Sequence, residues 1–165
     1  MDAIARKLSL LVCVCILAVS GCTKYRPQPL SIPNITPEEK DGIEVFAQAL
    51  TESECRKTFS RRILNKQYQP IQLVIKNKSQ DIYILDAANI ELDIAPTDHV
   101  IKQGDKDLSQ DIEQRTISDD ARIFLYPGNM INKILFVSDK NYRSKFKINL
   151  LNKETDDLVT FAIQI

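Results

Sequence analysis

The chain has no tryptophan, four glycines and one histidine in 165 residues. Without tryptophan it cannot build the antibody-type core, in which an indole packs on an inter-sheet disulfide. Gly21, Gly42, Gly104 and Gly128 are too few and too scattered for a glycine-rich phosphate loop. That removes nucleotide binding of the usual kinds. Charge of one sign is also missing: 22 basic residues balance 22 acidic ones. No global field draws in nucleic acid or an anionic surface, so no nucleic-acid partner is expected. No long hydrophobic run is present either. The longest apolar stretch, Leu8 to Val19, has twelve residues, and a spanning helix needs about 20. No segment repeats at a period of 20–50 residues, which excludes a solenoid.

The short apolar stretch has informative flanks. Arg6 and Lys7 precede it, and Ser20 and Gly21 follow it. This is the layout of a secretory signal peptide. The next residue is Cys22, so the junction reads Val19-Ser20-Gly21-Cys22. Small residues at the last two positions suit a tight intramembrane protease site, and only a thiol can become the thioether that carries diacylglycerol. The junction resembles a bacterial lipobox. The resemblance covers residues 1–22 and implies diacylglyceryl transfer to Cys22, cleavage between Gly21 and Cys22, and often a further N-acylation. Two or more acyl chains anchor stably, at about 0.8 kcal/mol per buried methylene. Thr23 stands where enterobacterial lipoproteins kept at the inner membrane commonly carry Asp, which favours the outer membrane. The domain is then expected in the periplasm or at the cell surface.

Processing at Cys22 would leave 144 residues, enough for one self-sufficient core and a tether. Cys13 and Cys15 leave with the signal and Cys22 is acylated, so Cys55 has no intradomain disulfide partner. It is expected to be a small buried hydrophobe, or a thiol available to a second chain. The remaining Cys and His are too few for zinc.

Residues 23–42 hold Pro27, Pro29, Pro33 and Pro37, four of the seven prolines. They bias the chain toward polyproline II at about 3.1 Å per residue, a reach on the order of 60 Å. The sequence thus reads as a signal peptide over 1–21, a lipidated Cys22 with a proline-rich tether over 22–42, and a folded domain over 43–165. A further possibility is that part of the tether packs along the domain edge.

Period-two alternation marks the domain. It runs through 43–50, 71–76, 82–85, 90–94, 122–126, 131–137, 146–150 and 159–165. Several such segments bounded by turn residues signal half-buried antiparallel strands. Asn77 to Asp81 reads as a polar hairpin loop. Tyr126-Pro127-Gly128-Asn129 reads as a type II turn, with Pro at φ near −65° and Gly at positive φ. Asn152 to Asp157 closes the last hairpin. Thr51-Glu52-Ser53-Glu54 is a capping box that starts a helix to about Phe59, with Cys55 and Phe59 on one face. A second helix is expected within 105–116, on Leu108 and Ile112. The sum is an all-β, antiparallel immunoglobulin-like sandwich of about 7–8 strands with one or two short helices.

The stretches Ala49-Leu50 to Glu54-Cys55, Tyr68-Gln69-Pro70-Ile71 to Ser79, Tyr126-Pro127-Gly128, Ile134 to Val137 and Phe146-Lys147-Ile148 resemble small bacterial envelope lipoproteins with a sandwich domain. This resemblance spans most of 43–165 and brings no activity with it.

Candidates for chemistry are sparse. His99 lies in Pro96-Thr97-Asp98-His99-Val100, and as a base its thiol partner would have to be Cys55. Asp105-Lys106-Asp107-Leu108-Ser109-Gln110-Asp111 alternates oxygen ligands as a calcium loop does. However, Gln110 and Thr116 stand where an EF-hand needs Gly and Glu. The pairs Asp119-Asp120 and Asp156-Asp157 fall in turns and do not face each other across a cleft. Basic residues gather at Arg56, Lys57, Arg61, Arg62 and Lys66, and at Lys140, Arg143, Lys145 and Lys147. They are either solvated faces or patches for an anionic partner. No catalytic residue, metal ligand or cofactor is assigned. The expectation is a membrane-anchored envelope lipoprotein with a structural, accessory or binding role. Its partners would be the membrane, through Cys22, and an envelope protein. The rivals are a small hydrolase or metal-dependent enzyme using His99 and the 105–111 loop, and a surface lipoprotein that meets a host.

Overall fold

A computed structural model describes residues 28–58, 67–100 and 113–165. Two four-stranded antiparallel sheets pack face to face. The first has the order β1 (Glu38–Lys40), β2 (Ile43–Ala49), β3 (Tyr68–Asn77), β6 (Met130–Ser138). The second has the order β5 (Arg122–Leu125), β4 (Tyr83–Ile90), β7 (Lys145–Asn152), β8 (Leu158–Gln164). The pairings β3–β6 and β4–β7 join strands that are distant in sequence, which gives the Greek-key wiring of an immunoglobulin-like sandwich. A short helix α1 (Glu52–Thr58) follows β2, and a helical turn α2 (Thr97–Val100) follows β4.

Alternation along each strand decides which side chains meet. Ile43, Val45 and Ala47 of β2 and Ile71, Leu73 and Ile75 of β3 face Leu85 of β4, Ile148 and Leu150 of β7 and Phe161 of β8. This is the main core. The outer face of the first sheet is covered as well. Ile134 and Phe136 of β6 pack with Leu50, Cys55 of α1, Ala95 and Val100 of α2 in a second apolar cluster. Backbone stubs cap the outer edge of β6: Ile94 bridges Val137, and Thr116 bridges Ile134. Coverage of this kind blunts an edge strand as a template for foreign pairing.

Three expectations change. First, folded structure begins before Ile43. Glu38–Lys40 pairs with β2 through a two-residue hairpin in which Asp41 (φ 50°) and Gly42 (φ 73°) are both left-handed. That is the turn Asp-Gly favours. A Cβ on Gly42 would lie 3.2 Å from the Ser79 backbone, which is a further reason for glycine there. Second, Ile82–Leu85 and Ile90–Ile94 are not two strands. One strand, Tyr83–Ile90, runs from the first to the start of the second, with a register irregularity between Leu85 and Ile90, and beyond it Ile94 forms only an isolated bridge to Val137. The Asp86 carboxylate accepts from the Ala88 amide at 3.0 Å and holds the local turn in its backbone. Third, Asn77–Asp81 is not a hairpin. It carries the chain from β3 in one sheet to β4 in the other, and Tyr126–Asn129 makes the return crossing from β5 to β6. Of the helix expected within 105–116, Leu108 and Ile112 lie outside the described residues, and the described part, 113–115, is helical. Phe59 also lies outside them.

Other expectations hold as stated. Gly128 has φ 78° and the Asn129 amide donates to the Tyr126 carbonyl at 3.0 Å, as a type II turn requires. The capping box is complete: the Thr51 amide donates to the Glu54 carboxylate at 2.7 Å, and the Glu54 amide donates to the Thr51 hydroxyl at 3.3 Å. Bonds from the Thr51 hydroxyl and amide hold the Glu54 carboxyl below the ordinary carboxylate value. A group so lowered contributes stability above its ordinary pKa and loses it as pH falls through the folded value. Wild type should therefore lose more stability than Glu54→Gln between about pH 6 and pH 3, as read from urea midpoints at each pH. Equal losses would remove Glu54 from the acid response.

Candidate functional site

The sequence candidates do not converge. Cys55 is 1 % exposed and packs among Leu50, Ala95, Val100, Ile134 and Phe136. Its sulfur is closed to a substrate. His99, on the adjoining turn α2, presents its ring to solvent. A Cys–His pair needs both groups in one accessible pocket, and these two differ in access. Asp105, Asp107 and Asp111 lie outside the described residues, as do Arg61, Arg62 and Lys66. Asp119 and Asp120 sit exposed in a turn, and Asp156 and Asp157 sit exposed in the β7–β8 hairpin. Lys140, Arg143, Lys145 and Lys147 are exposed, and Lys147 lies 3.9 Å from Glu91. Among the described residues, no three His, Cys, Asp or Glu side chains gather as metal ligands. Nor is any described helix long and apolar enough to cross a membrane. Val19 to Cys22, which resemble a lipobox, lie outside the described residues.

The best-built polar constellation is one the sequence did not reveal. It lies on the outer face of the first sheet. Gln48 of β2 and Gln72 of β3 are directly opposed, and the Gln48 amide donates to Gln72 Oε1 at 3.0 Å. Gln72 Nε2 then donates to Asn132 Oδ1 of β6 at 2.8 Å. The three amides form a ladder across β2, β3 and β6. Such positions ordinarily face water, yet Gln72 is only 1 % exposed. Residues 28–31 of the proline-rich segment lie beside it.

This segment is bound as a strap. Gln72 Nε2 donates to the Ser31 carbonyl at 2.7 Å, and Asn132 Nδ2 donates to the Leu30 carbonyl at 3.0 Å. The Arg115 guanidinium donates to the Gln28 carbonyl at 2.6 Å. Leu30 packs on the second apolar cluster, and Pro33 is buried. The arrangement suits proline-rich chain. Polyproline II makes no internal hydrogen bonds, so its carbonyls are available to side-chain donors. Prolines also lower the entropy lost on docking. Between the strap and α1 runs an open groove of about 290 Å³, lined by Leu30, Ser31, Gln48, Glu54, Lys57 and Gln72 among others. These groups can bind and position a polar chain. They are not arranged as nucleophile and base.

Inner-facing Lys133 of β6 is partly buried, its ammonium donates to the Gln114 carbonyl, and burial lowers its pKa. It ties 113–115 to the β6 edge, beside the Arg115 that grips the strap. Compared with protein-family models, curated proteins and solved structures, the chain matches none.

Proposed function

We propose that the chain is a membrane-anchored envelope lipoprotein whose sandwich domain has a non-catalytic accessory, structural or recognition role. The observation that carries this reading is the Val19-Ser20-Gly21-Cys22 junction, set after a twelve-residue apolar stretch with Arg6 and Lys7 ahead of it. Acyl chains on Cys22 hold the protein to the bilayer, and Thr23 favours the outer one. The domain works in the periplasm or at the cell surface on an envelope protein. Support for a binding role comes from the site itself. Its convergent groups are amides and backbone carbonyls, which recognise chain, and Cys55, the one thiol in the described domain, is buried.

Cys22→Ser tests the reading. The variant should leave the membrane fraction almost entirely and accumulate with its signal uncleaved, seen as slower gel migration. Retention in the membrane with unchanged mobility would falsify the lipoprotein assignment. For the partner, lipidated protein purified from native membranes in mild detergents should bring down a stoichiometric companion. Purification alone, across several detergents, argues for a purely structural role.

A further inference from the structure

We propose that the strap is a resident stand-in for the partner. Its seat on the first sheet binds an extended segment of an envelope protein, one in which an apolar residue stands three positions ahead of a proline. The inference rests on the recognition role proposed above and gives that partner a chemistry. The strap then gates the site.

The bonds define what the seat reads. Gln72, Asn132 and Arg115 each donate from a side chain to a backbone carbonyl, at Ser31, Leu30 and Gln28. Every residue type carries that carbonyl, so these bonds select extended backbone rather than a sequence. Leu30 is half-buried on the second apolar cluster and Pro33 is buried. Gln28, Pro29, Ser31, Ile32, Asn34 and Ile35 are all exposed. A chain with three residues per turn puts positions three apart on one side, which is the spacing of Leu30 and Pro33. Side-chain selection is thus confined to one apolar residue and one proline. Another segment with that pair presents the same carbonyls to the same donors.

The way the strap is held makes it exchangeable. Among the described residues, 28–35 make no backbone–backbone hydrogen bond to either sheet. The main core contains none of their side chains. By contrast Glu38–Lys40 is laddered onto β2, and a bend at Asn34 and Ile35 separates it from the strap. The strap can therefore leave while both sheets stay intact. An incoming chain restores the carbonyl that Gln72 and Asn132 lose, which favours replacement over an empty seat. The groove between strap and α1 gives that chain a foothold. Gln48 lines it, spends its amide on Gln72, and has no hydrogen bond to its own oxygen among the described residues. That oxygen is an acceptor for the N–H of a second chain. Because the strap competes, the apparent affinity of the closed protein falls by the fraction of molecules that are open.

Peptide binding tests the proposal. The probe is a fluorescent peptide of residues 28–35, Gln-Pro-Leu-Ser-Ile-Pro-Asn-Ile, and the protein is the purified full chain. Leu30→Asp unlatches the strap and leaves Gln72, Asn132 and Arg115 in place. Fluorescence anisotropy should show this variant binding the peptide about ten-fold more tightly than wild type, or better. Adding Gln72→Ala and Asn132→Ala should remove the gain. A peptide with aspartate in place of its leucine should bind neither chain. Leu30→Ser is a milder second opening, and urea midpoints check that both opened chains are folded. Equal affinity for wild type and both opened chains overturns the proposal. So does no binding to either opened chain at about 5 mM peptide, the range of concentration a short tether imposes on its own end. A wild-type chain that dimerises with rising concentration, and stops doing so in Leu30→Asp, would give the seat to the strap of a second copy and also overturn it. Cys22 acylation does not enter this measurement. A peptide that fails to bind strikes the seat and leaves the anchor standing, and loss of the anchor leaves peptide binding standing.

Discussion

Replacing Asn77 with alanine should cost about 3–4 kcal/mol of stability, far more than an ordinary surface amide. Asn77 ends β3 and is 1 % exposed. Its Nδ2 donates to the carbonyls of Asp81 at 2.8 Å and Leu125 at 2.9 Å. Its Oδ1 accepts from the Ser79 amide at 2.9 Å and the Ser79 hydroxyl at 2.7 Å. The backbone is engaged as well: its amide donates to the Asn129 carbonyl, and its carbonyl accepts from Gly128. One residue thus ties together both crossings between the sheets. An amide side chain offers two donors and two acceptor sites, and all four are used. Alanine leaves two carbonyls and an amide without these partners in a place water reaches poorly. Aspartate should do no better, because its oxygens would face the Asp81 and Leu125 carbonyls. Ser79→Ala, which removes only the hydroxyl contacts, should cost about 1 kcal/mol. Urea unfolding of the three variants gives the comparison. An Asn77→Ala cost under about 1 kcal/mol would mean that the crossings are held by their backbone alone.

The second large effect is expected at Phe161. It is fully buried at 0 % exposure, centred on β8 opposite Ile148, and among the largest side chains wholly inside the core. Phe161→Ala removes a ring from a close-packed interior that relaxes only partly. The expected cost is about 3–5 kcal/mol, against a total of about 5–15 kcal/mol for a domain. The variant should therefore fold marginally or not at all at 37 °C. Phe161→Leu, which keeps most of the volume, should lose much less. The denaturation midpoint should fall with little change in the slope of unfolding free energy against urea. A small loss for alanine would place Phe161 at a site that collapses freely, contrary to its packing in the main cluster.

These two residues differ in how openly the sequence announces them. Phe161 sits in Val159-Thr160-Phe161-Ala162-Ile163, where alternation alone assigns it to the core. The same rule found β2, β3, β6 and β7. Asn77 was visible as a turn residue, but its role depends on which sheet each strand joins, and alternation does not encode that. β1 was hidden by composition. Pro33 and Pro37 made 23–42 read as tether, although Asp41-Gly42 ahead of Ile43 is a strong hairpin signal. The β4 irregularity was hidden by Asp86 and Asn89, which look like turn residues and here bend a continuous strand. The strap site was the least legible. Gln48, Gln72 and Asn132 occupy outward positions of their strands, where polar residues normally meet water. Nothing local says that a segment 41 residues before Gln72 and 102 before Asn132 returns to bond them. The capping box, by contrast, needs only four consecutive residues, and it formed as read.

The fold also clarifies why the N-terminal junction matters. With Cys55 buried, the proposed function assigns a specific chemistry to Cys22 alone, and that chemistry would be performed on the protein. The most direct test is the mass of the N-terminal peptide of protein isolated from its native membranes. The account predicts a peptide that begins at Cys22 and carries a diacylglyceryl thioether. A peptide that begins elsewhere, or a Cys22 recovered with an unmodified thiol, would contradict it.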